Sequence, residues 1–555
     1  MTETGKDIRP IREVAANCGL QDNELELYGD YKAKIKISAL ERLSAREEGK
    51  LLLVSAITPT PAGEGKTTVA IALAMALDRA GHRAAAALRQ PSLGPLFGIK
   101  GGATGGGKAR LFPESDISLH FTGDLHAVAS AHNLLGALLD NHLLRRREPL
   151  LDPARVSWPR VMDMNDRSLR SIVIGLGGAL NGVAREGAFQ ITASSEIMAI
   201  LCLAESYREL KERIGNILVG FTYDDQPVYV RDLGVQGAAA SLLRDALKPN
   251  LVQTLSGSPA FVHGGPFANI AQGTNSVIST RLALKLHDYV VTEAGFGFDL
   301  GAEKYFDIVA RQAGFCPAGV ILVATARALK MHGGLKTGEL DQPDPQAVAR
   351  GLPNLERHLE NIGRFNIEAV VAVNRFSGDT DEELAVIEQA VRAKGFRAAI
   401  VDPAAEEFPA AASLAEAVVE KCSTPACHHF LYPLEWPVKK KIETVAGEIY
   451  GSRAVDYTRE ARIDLKRIER LGLSELPVCI AKTQKSLSDN PALLGRPKDF
   501  LVTVRRIGIS SGAGFLVPVT GDIMLMPGLP AEPIAARIDI DEAGNISGLF
   551  KETTT

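Results

Sequence analysis

Residues 58–68 read TPTPAGEGKTT, and they stand between the apolar run LLLVSAI (51–57) and VAIALAMALDRA (69–80), in which apolar residues recur at helical spacing. A buried strand, a glycine loop and a helix follow from that pattern. In such a loop the backbone N–H groups and the helix N-terminus converge on a polyphosphate, Lys66 adds charge at the β/γ oxygens, and Thr67 can ligate Mg²⁺. The fit to G-x-x-x-x-G-K-[ST] departs at one place: Thr60 holds the first glycine position, while Gly63, Gly65, Lys66 and Thr67 fall where phosphate contact needs them. A plain glycine turn is the alternative, and the flanking strand and helix favour the phosphate loop. Thr58, Pro59, Gly63, Glu64, Gly65, Lys66, Thr67 and Thr68 are therefore the expected ATP-phosphate residues, with Thr67 on the metal.

Further apolar runs alternate with helical patterns: AAAALR (84–89), SIVIGLGG (171–178), NILVGF (216–221), DYVVTEAG (288–295), GVILVATA (319–326) and EAVVAVNRF (368–376). Runs so apolar predict strands buried on both faces, hence an α/β fold with a P-loop type, doubly wound, mostly parallel sheet and smaller α/β lobes. Ligands of such sheets gather at the carboxyl ends of the strands, which places the glycine loop, Arg89, Glu293 and Asn374 together. The expected division is a nucleotide-binding domain over 1–352, a second lobe over 353–438 and a C-terminal lobe over 439–555. The lysine triplet at 439–441 reads as a solvated helix start.

A chain of 555 residues is long enough for several such units, and its net charge of −4 supplies no electrostatic footprint for nucleic acid. No stretch approaches the roughly 18 apolar residues of a membrane span, the N-terminus MTETGKDIRPIREVA has no apolar core, and six scattered cysteines read as reduced thiols, so a cytoplasmic protein is expected. Cys422, Cys427, His428 and His429 lack the spacing of a zinc site and read as a connecting segment.

Beyond the first loop, Arg89 opens QPSLGPLFGIKGGATGGGK (90–108), a stretch too glycine-rich to pack as core and flanked by lysines, suited to close approach of an anion. Together with TPTPAGEGKTT, FTGDLHAV (121–128), RVMDMNDRSLR (160–170), VHGGPFANIAQGTNS (262–276), EAGFGFDLGAEKYFDI (293–308), LPVCIAKTQKSLSDNP (476–491), LGRP (494–497) and SSGAGFLVPVTGDIMLMPGLP (510–530), this loop resembles the formate–tetrahydrofolate ligase family nearly end to end. The resemblance implies ATP-dependent joining of formate to N10 of tetrahydrofolate through formyl phosphate, by a homotetramer using Mg²⁺ and stimulated by a monovalent cation.

Under that reading Lys66 and Thr67 meet the triphosphate, and Arg89, a planar fork suited to carboxylate and phosphoryl oxygens, clamps formate and then formyl phosphate. The other reading of Arg89 is a structural pairing with Asp124 or Glu293. Ser92, Gly101 and Gly102 are expected donors to the anion, and Asp124 and His263 are candidates to orient the amine and its proton, a structural role being the alternative for both. Phe376, in NRFSGDTDEE, stands where the family stacks the pterin; the family's downstream Trp is absent, and Phe408 is the candidate substitute. Trp436 reads as structural.

Other positions depart inside otherwise intact motifs. Gln90 replaces the acidic residue that the family associates with its monovalent cation, putting that stimulation in doubt. Gln190, Lys108, Gln272 and Phe298 are further replacements, and Phe298 for alanine is expected to narrow the space beside it. Such departures also admit a paralogue that keeps ATP-driven carboxylate activation but uses another acceptor, or a nucleotide-binding protein without ligase activity.

Overall fold

The computed structural model describes residues 7–61, 63–100, 104–178, 180–403, 411–422 and 428–549. Among them the organising element is a twelve-stranded sheet. Ten of its strands are β1 (Leu25–Leu27), β2 (Ala33–Ile35), β3 (Lys50–Ala56), β4 (Ala84–Leu88), β5 (Asn250–Thr254), β6 (Pro259–Val262), β7 (Tyr289–Glu293), β8 (Gly319–Ala324), β9 (Ala369–Asn374) and β10 (Arg397–Val401). Their order across the sheet is β1-β2-β5-β6-β4-β7-β3-β8-β9-β10, and the two remaining short strands lie at Gly105–Gly106 and Ala109–Phe112.

Every pairing from β6 through β10 is parallel, whereas the β1–β2–β5–β6 edge is antiparallel. The apolar runs are continuous because both faces are covered. Along β3, Leu51 and Leu53 enter one core while Leu52 and Val54 enter the other, and β4, β7, β8 and β9 alternate in the same way. Helix α1 (Lys66–Arg79) and the helix Ala412–Lys421 pack on the second face. With helices on both sides, a two-residue period of facing no longer requires a two-residue period of polarity.

Two predicted strands lie outside this sheet. Ile172–Ile174 forms a small antiparallel hairpin with Arg185–Gly187, and Val173 is 59% exposed. Its run stops at Gly175, Gly177 and Gly178, all with positive φ, which turns the chain before a sheet strand can form. Leu218–Phe221 pairs with Pro227–Tyr229 in a separate hairpin closed by a turn at 222–226. Conversely, β5, β6 and β10 join the sheet without having stood out as apolar runs.

Pro353, where a second lobe is expected to begin, lies inside a helix over Pro345–Arg364, here α2, and β9 and β10 beyond it extend the same sheet. Near the C-terminus, Ala454–Tyr457, Leu501–Ser510 and Phe515–Thr520 make a three-stranded sheet whose apolar side joins the first core. No helix among the described residues is long and apolar enough to cross a membrane.

The lysine triplet is not a solvated helix start throughout. Lys441 is buried, and its ammonium donates to the carbonyls of Leu434, Ser474 and Leu476 at 2.9, 2.6 and 2.8 Å. Burial lowers its pKa to about 8. Three converging carbonyls from two loops replace the water it would otherwise keep, and a run of like charges could not reveal them.

Candidate active site

After β3, the loop that leads to α1 turns on two glycines with positive φ, Gly63 and Gly65. Gly65 has φ +73° and is the residue before α1; a Cβ there would lie 2.4 Å from Asn374 Nδ2, at the end of β9. That amide donates to the Glu64 carbonyl at 3.0 Å. The buried Glu64 carboxylate accepts from the Thr60 N–H at 2.6 Å and from the Thr325 hydroxyl, closing the loop on itself and tying it to the end of β8. Thr60 thus takes part in loop closure through its backbone, which is why the absent first glycine does not open the turn.

Three neighbouring parallel strands deliver the charged groups. Lys66 and Thr67 follow β3, Arg89 follows β4, and Glu293 ends β7, which lies between those two strands. The Thr67 hydroxyl donates to one Glu293 carboxylate oxygen at 2.8 Å, and the Arg89 guanidinium reaches the other at 3.5 Å. Arg89 also donates to the Pro266 carbonyl at 3.3 Å, and its buried Nε has no partner among the described residues. These long contacts hold the guanidinium in place without saturating its donors. The Arg89–Glu293 contact is the structural pairing that the sequence offered as an alternative, whereas the Thr67 contact of the same carboxylate was missed; its signal was a carboxylate closing the apolar strand YVVTE.

The glycine-rich stretch packs onto the start of α1. A Cβ on Gly105 would meet Ile71 at 2.9 Å, and one on Gly106 would touch the Thr68 hydroxyl at 3.4 Å. Gly101 and Gly102 lie outside the described residues, as do Phe408 and Cys427. Ser92 is placed beside Arg89 in sequence, but its hydroxyl donates to Asp163 at 2.6 Å, and the same carboxylate accepts the Leu93 N–H at 3.0 Å. Burial pushes the Asp163 carboxyl above its ordinary range. Ser92 therefore orders the turn after β4.

Asp124 and His263 are both buried, each held by its own protein partners. Asp124 pairs with the buried Lys34 at 2.7 Å and accepts from Asn250 Nδ2 at 2.7 Å. His263 Nε2 donates to the Ala246 carbonyl and Nδ1 accepts from the Ser276 hydroxyl, each at 2.6 Å. Desolvation lowers the His263 pKa to about 4. With both ring nitrogens engaged by the protein, the imidazole is neutral and braces β6 where the chain enters the Gly264–Pro266 turn that receives Arg89.

Burial likewise lowers His132 to about 3 and His287 and His358 to about 4. Below pH 6.5 the unfolded chain binds protons at these four histidines that the folded chain refuses, so the stability tied to their neutrality is fully present above pH 6.5 and lost as pH falls toward 4. Glu196 and Asp307, raised by burial to about 7, act in the opposite sense, as do the raised carboxyls Asp163, Glu303 and Asp379, while His332 and His428, also lowered by burial, add to the loss. The melting temperature is expected to fall between pH 6.5 and 4.5; thermal melts showing a constant or rising value there would contradict this balance.

Phe376 lies half-buried beside the glycine loop, its ring edge 4.0 Å from the Cβ position of Gly65, and the Arg327 guanidinium sits over its ring at 4.7 Å. Phe298 does not narrow an open space: it is wholly buried and packs against Phe306 and Phe365 with ring centroids 6.2 and 5.8 Å away. Gln272 is buried too and donates to the Ala199 carbonyl at 3.3 Å. Trp436 is half-buried against the core, with Lys440 over its ring at 3.4 Å. Cys422 packs under Gly319, and His428 packs against Phe306 and Phe430.

Comparison with known proteins finds similarity along nearly the whole chain. A family model described as formate–tetrahydrofolate ligase matches residues 2–550. A formate–tetrahydrofolate ligase of Syntrophus aciditrophicus (strain SB) is 56% identical over 545 residues, covering 98% of this chain and 96% of that protein.

Proposed function

The chain belongs to the formate–tetrahydrofolate ligase family, and from that membership we propose that the groups gathered at the ends of β3, β4 and β7 drive ATP-dependent ligation of formate to N10 of tetrahydrofolate. The observation that carries the assignment of roles is the Glu293 carboxylate, which touches Thr67 of the phosphate loop and Arg89 of the anion loop at once. It holds the nucleotide side and the carboxylate side within one side chain's reach.

Formate is a poor acyl donor until one of its oxygens becomes a phosphate leaving group. Lys66 and the N–H groups at the start of α1 would bind the transferring phosphoryl group, and Arg89 would hold formate so that its oxygen meets the γ-phosphorus in line. Bond formation there releases ADP and leaves formyl phosphate on Arg89. Attack of N10 on the formyl carbon then expels inorganic phosphate, the amine losing its proton. The donor set suits Mg²⁺, because Thr67 and Glu293 offer only oxygen ligands at the phosphate end. When bound, Mg²⁺ adds positive charge at the phosphoryl oxygens.

Phe376 supplies the pterin-side aromatic face in this reading. The departure at Phe298 is absorbed by core packing, which supports the folate acceptor over a retuned one. The decisive test is ADP release by purified protein with Mg-ATP and formate, with and without tetrahydrofolate, following formyl transfer in the same samples. Formylated tetrahydrofolate is expected. Formate-dependent ADP release indifferent to tetrahydrofolate would instead establish the acceptor-switched paralogue.

Weak stimulation by a monovalent cation belongs to the same proposal. Gln90 is buried next to Arg89, and both amide atoms lack partners among the described residues. An amide offers a carbonyl oxygen but no charge, so Gln90→Glu should increase the ratio of rates in potassium and in tetramethylammonium. An unchanged ratio would separate Gln90 from cation binding.

We also assign the protein to the cytoplasm and to a homotetramer, as the family resemblance implies. The exposed apolar side chains Val173, Leu176 and Leu180 on one hairpin support assembly. Sedimentation equilibrium would test it.

A further inference from the structure

Thr58, the first residue after the apolar run of β3, has all three of its hydrogen-bonding groups held from helix α2 and from a short helix over Ala326–His332. Its N–H donates to Asn354 Oδ1 at 3.3 Å, its hydroxyl accepts from Asn354 Nδ2 at 3.0 Å and lies 3.0 Å from His358 Nε2, and its carbonyl lies 2.9 Å from His332 Nε2. Two of these side chains also grip a residue far away in sequence. The Gly495 N–H donates to His332 Nδ1 at 3.0 Å, and the Gly495 carbonyl accepts from Asn354 Nδ2 at 2.8 Å. Gly495, in LGRP, has φ +69°, and a Cβ there would press on the His332 carbonyl at 3.2 Å.

The two partners of His332 have opposite polarity. A carbonyl can only accept, so Nε2 carries the proton; a backbone N–H can only donate, so Nδ1 is bare. One neutral tautomer satisfies both, and burial, which lowers the His332 pKa, agrees with it. An aliphatic side chain would leave a carbonyl on one side and an N–H on the other unsatisfied, each costly in a dry interior.

We propose that His332, with Asn354, is a positioning residue for ATP use: it locks the start of the phosphate loop to the C-terminal LGRP loop, so that the two move as one body and nucleotide bound at Lys66 is felt at Gly495. His332 touches neither nucleotide nor formate in this scheme; it acts through Thr58. The inference rests on the phosphate-loop reading of residues 58–68.

The test compares wild type, His332→Leu and His332→Gln. Gln keeps one donor and one acceptor, whereas Leu keeps neither. Mg-ATP affinity by titration calorimetry is expected to weaken about tenfold in His332→Leu, with KM for tetrahydrofolate within twofold of wild type, and to recover to within threefold in His332→Gln. In wild type, Mg-ATP should slow amide exchange at Gly495, and His332→Leu should lose that response.

Unchanged ATP affinity in folded His332→Leu, or equal weakening toward ATP and tetrahydrofolate, would overturn the proposal. Should His332→Leu not accumulate, His332→Asn, whose shorter amide cannot span both partners, reads the same ATP-against-tetrahydrofolate comparison. Wild-type protein that binds no Mg-ATP would sink the phosphate-loop reading itself, a result distinct from either.

Discussion

Lys66→Ala is expected to reduce formate-dependent ADP production by about a thousandfold or more, equivalent to about 4 kcal/mol of transition-state stabilisation. Lys66 begins α1 directly after Gly65, so its side chain leaves the loop where the helix N-terminus points. Charge accumulates on the phosphoryl oxygens during transfer, and a fixed ammonium in a partly dry site stabilises that charge more than it stabilises the ground state. Alanine is a good helix former at this position, so the fold should persist and thermal melts should show little change. Turnover near the wild-type rate in a folded Lys66→Ala protein would remove the phosphate-loop assignment.

Arg89→Ala should separate the two halves of the site. Mg-ATP binding is expected to remain within a few-fold of wild type, while formate-dependent ADP release falls by about a hundredfold or more. Arg89→Lys is expected to recover little, since an ammonium lacks the planar fork and cannot hold two oxygens of formyl phosphate while keeping contact with Glu293 and Pro266. The competing structural reading, in which Arg89 merely pairs with Glu293, makes a different forecast. Loss of a partly buried pair would lower the melting temperature and would spare the KM for formate. Measuring KM for formate and melting temperature on the same two variants distinguishes them, and an unchanged formate KM with a lower melting temperature would return Arg89 to the structural role.

Much of the site could be read in the sequence because the chemistry is local there. Gly65, Lys66 and Thr67 are consecutive, and a strand, a glycine turn and a helix start need no long-range information to place three groups around a phosphate. The family was legible in motifs read in order, and the proposed phosphate and carboxylate contacts could be formulated for that reason. The roles expected of Ser92, Asp124 and His263 were not decided in the same way. Each is a polar residue in a motif, and only the fold reveals that Ser92 gives its proton to Asp163, that Asp124 meets Lys34, and that His263 has both nitrogens occupied.

The strand assignments divide along the same line. Apolar runs marked β3, β4, β7, β8 and β9, because strands covered on both faces have no polar positions to interrupt them. An apolar run says nothing about its pairing partner, and so Ile172–Ile174 and Leu218–Phe221 went to separate hairpins. Lys441 is the sharpest case: three lysines in a row predict solvent, yet carbonyls of the preceding loop and of a loop more than thirty residues on converge on the last of them.

By itself the sequence determined the α/β class with a mostly parallel sheet and the ligase family, and it supplied the proposed phosphate loop with Lys66 and Thr67 and the candidate clamp Arg89, all of which depend on residues adjacent in the chain or on motifs read in order. The tertiary structure decided that Glu293 joins Thr67 to Arg89, that Phe298 and Gln272 fill core rather than a substrate wall, and that His332 and Asn354 fasten Thr58 to Gly495. Most of those contacts join groups tens to hundreds of residues apart in the chain. Hydrogen-bond partners at such separations are chosen by the packing of strands and helices, and no local spacing encodes them.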